Sequence, residues 1–204
     1  MIQKNITINT PENKVLINTY IDTIDCSNLE INKELFTKKC LESCRNFKQK
    51  YSCPPLSPTF HNYIKEKTLL VLLLKINLDQ FSKYKPFHRI KIANSILKSR
   101  ADKIMRQMEK HTNTKFISNG SCRLCKPCQK KLNKPCKHPK EMRFSLESLG
   151  INCNNLSTTL FNLPLLWYGN KTCPEYTLVI TAIPLNDNLE KYKLLLSKGL
   201  NNLK

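Results

Sequence analysis

The sequence predicts one α/β domain over residues 1–204, a small central sheet flanked by helices, with two cysteine-rich loops at 37–58 and 119–139. Three observations lead there. The run TLLVLLLKI at 68–76 is apolar at consecutive positions, as a strand covered on both faces must be. A second such run, YTLVITAI, lies at 176–183. Between them, apolar residues of 87–111 recur every three or four positions, the period of a helix with one buried stripe. Strands alternating with helices build a layered α/β domain, and 204 residues of which 40% are hydrophobic can fill its core without disulfides.

The elements follow in chain order. Residues 4–24 alternate through Ile6 and Ile8, then Val15, Ile17, Thr19 and Ile21, around PENK at 11–14, which predicts a hairpin. The stretch 37–58 holds Cys40, Cys44, Cys53 and CPPLSP. Its prolines exclude a helix interior or a central strand, so it is expected as an ordered loop. Ser57-Pro58 starts a short helix through Tyr63, and 68–76 is the central strand. In the long helix, Ile90, Ala93, Leu97, Ala101, Ile104 and Met108 form the core stripe, while Lys91, Lys98, Arg106 and Lys110 fall opposite. TKFIS at 114–118 reads as a short strand feeding the second loop at Gly120. His138-Pro139 is expected to open a helix that Gly150 ends as a C-cap. A helix over 154–162, the strand 176–183 and a terminal helix LEKYKLLLSKGL complete the chain.

The chemistry is concentrated in the cysteines. The N-terminus MIQKNITINTPENK lacks an apolar secretory core, and the longest apolar run, 69–74, is far below the roughly 18–20 residues that span a bilayer. A soluble cytoplasmic protein is expected, with no membrane partner, and cytoplasmic thiols stay reduced, which favours metal ligation over cystines. In SCRLCKPCQKKLNKPCKHP, Cys122, Cys125, Cys128 and Cys136 have the spacing C-x2-C-x2-C-x7-C. Two successive x2 steps wrap the backbone around a compact core and supply three corners of a cubane, the fourth thiolate arriving from further on. Pro127 and Pro135 stiffen the loop. Arg123, Lys126, Lys130, Lys131 and Lys134 are expected to depress the thiol pKa values and favour thiolate. Zinc is the alternative, since four thiolates complete a tetrahedral site, but zinc usually takes two knuckles and the triplet would cramp its middle ligand. His138 is either a substitute ligand or a hydrogen-bond donor beside the site.

The earlier set, Cys40, Cys44 and Cys53, has the spacing C-x3-C-x8-C. If it holds a 4Fe-4S cluster, one iron is left for Cys26, Cys153, Cys173, a non-cysteine group or a small molecule. An open iron is a Lewis-acidic or redox-active position. Cys26 and Cys153 read as small core residues, whereas Cys173, before Pro174, is harder to dismiss.

With 34 Lys+Arg against 15 Asp+Glu the net charge is +19, which attracts acidic proteins and polyanions. Two cubanes carrying about −2 each with their thiolates still leave the surface strongly basic. Expected partners are an acidic redox protein or an anionic substrate, with nucleic acid as the alternative. Nucleotide-hydrolysing and common hydrolase engines are excluded: the four glycines, at 120, 150, 169 and 199, form no phosphate loop, and the chain has neither HExxH nor G-x-S-x-G. Phe47 stands where a radical-SAM triplet needs its third cysteine. Glu141 and Glu147 are read either as proton donors near a cluster or as ordinary surface charges.

The runs KKCLESC, YSCPPLSPT, GSCRLCKPCQKKLNKPCKHP and RFSLESLGIN, taken together, resemble a family of small archaeal and bacterial predicted metal-binding proteins of unknown function, over roughly 25–185. Asn46, Phe47 and Lys48 depart from a tyrosine-glycine turn common in that family, and Phe144 replaces a proline; neither removes a thiol. The resemblance implies iron-sulfur or other metal binding in a largely anaerobic setting and no established reaction. The leading expectation is a 4Fe-4S protein for electron transfer or cluster-dependent redox chemistry, with one cluster on the later quartet and a second on the earlier trio. The alternative is a zinc-stabilised basic module on nucleic acid, disfavoured because the lysines of 126–137 have no aromatic residues among them. A metallochaperone is a third class, and whether the chain is an enzyme stays open.

Overall fold

A computed structural model describes residues 1–12, 14–169 and 172–202. Strands β1 (Ile2–Asn9), β2 (Lys14–Asp25), β3 (Thr68–Asn77) and β4 (Tyr176–Pro184) form one sheet in that order. Every neighbouring pair is antiparallel, with Ile6 opposite Ile17, Tyr20 opposite Leu73 and Leu72 opposite Thr181. The predicted hairpin is therefore present; residue 13 of its expected turn lies outside the described residues.

β3 is central, and residues 69–74 are at most 1% exposed. Leu70, Leu72, Leu74 and Ile76 meet α3 (Pro86–Thr112) and α6 (Leu189–Asn201) on one face. Leu69, Val71 and Leu73 meet α2 (Phe60–Tyr63), α4 (Leu146–Leu149) and α5 (Cys153–Phe161) on the other. Because both faces are covered, alternation of polarity would bury a polar side chain at every second position, so the strand reads as unbroken Leu and Val. α3 buries Ala93, Leu97, Ala101, Ile104 and Met108 as its spacing predicts, and it stops where Asn113 turns left-handed (φ 53) and closes on the Glu109 carbonyl.

Three expectations are corrected. The stretch from 37 is not loop throughout: α1 (Lys33–Ser43) carries Cys40, capped by the Asn32 side chain, which accepts from Leu35 N–H at 2.9 Å. The prolines that argued for a loop begin only at Pro54, beyond the helix, and proline breaks helices locally. Residues 114–118 make no strand but two isolated bridges, Ile117 to Ala182 beside β4 and Ser118 to Ser145. The helix expected from 138 is a turn up to 142. The Arg143 guanidinium donates to the Lys140 and Met142 carbonyls (both 2.8 Å) while pairing with Glu109, and Ser118 holds Phe144 and Leu146 by backbone bonds. Only α4 is helical there, with Ser145 as N-cap and Gly150 as the predicted C-cap.

Candidate metal centres

The cysteine elements are inserted where the sheet connections are longest, the trio between β2 and β3 and the quartet between α3 and β4. In the quartet, Cys122, Cys125, Cys128 and Cys136 line one small cavity together with His138, Tyr51 and Ser52. The loop enters through Gly120 at φ 140, a conformation side chains disfavour. A short turn, Gln129–Leu132, follows Cys128, and Asn133 at φ 52 reverses the chain so that Cys136 returns to the same cavity. The loop is also held from outside. Cys122 N–H donates to Ser52 Oγ (2.9 Å), and Lys50 Nζ donates to Ser121 Oγ (3.0 Å) and the Cys122 carbonyl (2.9 Å). Tyr51 OH donates to the Lys134 carbonyl (2.8 Å). His138 is part-exposed, with Nδ1 3.6 Å from Glu141.

The trio is built from two elements. Cys40 and Cys44 lie one turn apart on the same side of α1's end, where the Cys44 N–H closes on the Cys40 carbonyl at 3.0 Å. Cys53 comes from the proline loop, is buried, and faces both of the others electrostatically. Lys33 clamps these parts. Its ammonium donates to Ser57 Oγ (2.7 Å), to the Ser57 and Pro58 carbonyls (2.9 and 3.1 Å) and to the Ser148 carbonyl, joining α1, the proline loop and α4. Gly150 (φ 100) allows the close approach, since a Cβ there would lie 2.8 Å from Lys33 Cα. The Ile31–Ile151 bridge and the Asn32 N–H bond to the Gly150 carbonyl (2.7 Å) fix the same junction.

This junction brings Glu147 and Cys153 into one open groove with Cys40 and Cys44, flanked by Phe36, Lys39, Leu165 and Trp167. Cys153 is hydrogen-bonded with Glu147. Of the expected fourth groups for the trio, Cys153 thus shares a groove with Cys40 and Cys44, which Cys53 does not line. Cys26 donates to the Glu66 carbonyl (3.3 Å) beside the end of β2, and Cys173 packs on the α3 face, across the sheet from Cys153. Glu147 is the residue whose place the sequence left undecided; Glu141 is exposed in the 138–142 turn.

The expected depression of thiol pKa values in the second loop is overturned at Cys122, and two thiols of the trio are raised as well. Burial pushes Cys53 up to about 11, Cys44 and Cys40 adding to the rise and Ser52 and Lys50 opposing it. Burial likewise raises Cys122, against a backbone hydrogen bond from Leu124 and the Lys50 charge, and raises Cys40, with Cys44 and Glu147 adding. Cys153 is raised well above the usual thiol range, burial first and Glu147 second. Most loop lysines, such as Lys126, Lys131 and Lys134, are solvent-exposed, where water and salt screen them; Lys50 bears on both sets. Ligation at these thiols must therefore displace protons.

All ten cysteines are free thiols. Among the described residues, no group of three or more His, Cys, Asp or Glu side chains is arranged to hold a metal ion, and no helix is long and apolar enough to cross a membrane.

No curated protein and no solved structure matches this chain. A family model does, over residues 22–183, and the chain belongs to that family, described as predicted metal-binding protein (DUF2284). The matched stretch contains both cysteine sets, β3, β4 through Ile183 and α3, and leaves out β1 and α6.

Proposed function

We propose that this chain is an iron-sulfur protein in which Cys122, Cys125, Cys128 and Cys136 hold a 4Fe-4S cluster and Cys40, Cys44 and Cys53 anchor a second. The observation that carries the reading is the convergence of four thiols from one short stretch on one cavity. The donor set fits: all four are soft sulfur ligands, and the C-x2-C-x2-C opening is the bacterial cluster arrangement. Such a cluster supplies one-electron redox chemistry and, where an iron is open, a Lewis-acidic position. The trio has three thiols and a groove, so its remaining position faces Glu147, Cys153 or an incoming molecule. On this reading ligand binding turns the thiol side chains inward, and each raised thiol gives up its proton.

The net charge of +19 draws an acidic redox protein or an anionic substrate to this surface. A reducing, cytoplasmic setting suits ten unpaired thiols. The experiment is EPR spectroscopy of the anaerobically purified, dithionite-reduced chain, compared with Cys125→Ser. A reduced-cluster signal diminished by the substitution is the expected result. A signal-free chain carrying zinc, with nucleic-acid affinity that falls steeply with salt, would establish the rival basic module instead.

A further inference from the structure

We propose that the segment from Lys50 to Cys53 couples the two cysteine centres, so that metal loading at one set tightens binding at the other. The inference rests on both sets being metal sites and is independent of which metal they take.

One four-residue segment belongs to both sites. Cys53 gives its thiol to the trio. The three residues before it hold the quartet by the bonds described above: Lys50 and Ser52 grip Ser121 and Cys122 at the loop's entry, and Tyr51 grips Lys134 near its exit, two residues before Cys136. These partners are 70 to 83 residues apart in sequence, so the bonds serve no local turn. Ser52 is 1% exposed, and its Oγ lies 4.0 Å from Cys53 Sγ while accepting the Cys122 N–H. Bonds that leave one short segment, anchored by the buried Ser52, reinforce one another. A metal that fixes Cys53 therefore fixes Lys50 to Ser52, and through them both ends of the quartet loop. The ordering cost of the second loop is then lower, which is positive coupling without direct contact between the ions, and by linkage it runs equally in both directions. Lys50 and Ser52 are positioning residues here, not ligands.

The test is an anaerobic Co(II) titration of the full chain, followed by thiolate-to-cobalt charge-transfer absorption. Cys40→Ser/Cys44→Ser disables the trio at two part-exposed positions and leaves the buried Cys53 in place. With Lys50 and Ser52 intact, that variant is expected to bind Co(II) at the quartet about tenfold more weakly than the unmodified chain. In a Ser52→Ala background, and again in Lys50→Met, disabling the trio should change the quartet affinity by less than about twofold, the range of independent sites. Circular dichroism of each variant confirms that it is folded. Quartet affinity that is the same with and without the trio thiols overturns the coupling and leaves the metal reading standing. Coupling that survives both Lys50→Met and Ser52→Ala overturns its assignment to this segment. A folded chain that takes up no cobalt at either set overturns the metal-centre reading together with this one.

Discussion

The two cysteine sets are built on opposite plans. The quartet draws every thiol from residues 122–136, on a loop that Gly120 and Asn133 fold back so that all four line one small cavity. The trio takes two thiols from a surface helix and one from a buried loop, relies on a lysine clamp to hold those parts together, and faces a groove containing a carboxylate and a fourth thiol. Local assembly with closure suits a cofactor that stays in place; composite assembly with an unfilled position suits contact with a third party. On the proposed function, the quartet stores or passes electrons and the trio meets the substrate or partner.

Substitutions can break this contrast. The largest expected effect is Cys125→Ser, which removes the quartet's metal while the trio keeps its own, so iron per chain falls by about half for two 4Fe-4S clusters; loss of all iron would show that the sites do not assemble separately. Next, Lys33→Met removes one ammonium from four oxygen acceptors and should cost about 2–3 kcal/mol, read as a lowered thermal midpoint. It should weaken metal binding at the trio first. Gly150→Ala strikes the same junction from the other side, placing a methyl 2.8 Å from the Lys33 Cα in a left-handed backbone conformation. A loss of about 1–3 kcal/mol is expected, measured by urea denaturation.

The raised thiols set the pH response. Cys53 moves from 9.0 to about 11 on folding, so the metal-free fold prefers the protonated thiol. That contribution is full below pH 9 and is lost as pH rises through about 11, so the apo protein should lose stability across this window. Metal affinity at the trio should move the opposite way and climb with pH, because binding releases the thiol protons and their release is favoured as proton activity falls; a flat affinity from pH 6 to 9 would contradict the protonated state. The smallest effect belongs to Trp167→Ala. The indole is 79% exposed at the groove, so stability should change by less than about 0.5 kcal/mol and metal content not at all, while any ligand of the groove binds less well.

Much of the fold was legible because β3 and β4 announce themselves as continuous apolar runs and α3 by its helical period. Helices cover β3 on both faces, and the sequence shows that as unbroken Leu and Val. What was illegible depended on partners far along the chain. α1 buries none of its residues and has no strong apolar stripe, so nothing distinguished it from the proline loop that follows. The 138–142 turn is set by Arg143 reaching Glu109, and 114–118 fails as a strand because only Ile117 finds a bridge at β4. At the site, spacing alone picked out the four cysteines that line one small cavity. It gave no sign of the Lys33 clamp, the Ser52 bond to Cys122 or the meeting of Glu147 with Cys40, all of which cross long sequence separations. The Cys122 pKa departs from its expected direction for the same reason: charge is visible in a sequence, whereas burial is a property of the fold.

The most direct test of the central claim is the iron and acid-labile sulfide content of the chain purified without oxygen. Two 4Fe-4S clusters predict about eight iron and eight sulfide per chain, and the quartet alone predicts about four of each. About one zinc per chain with no sulfide would contradict the account.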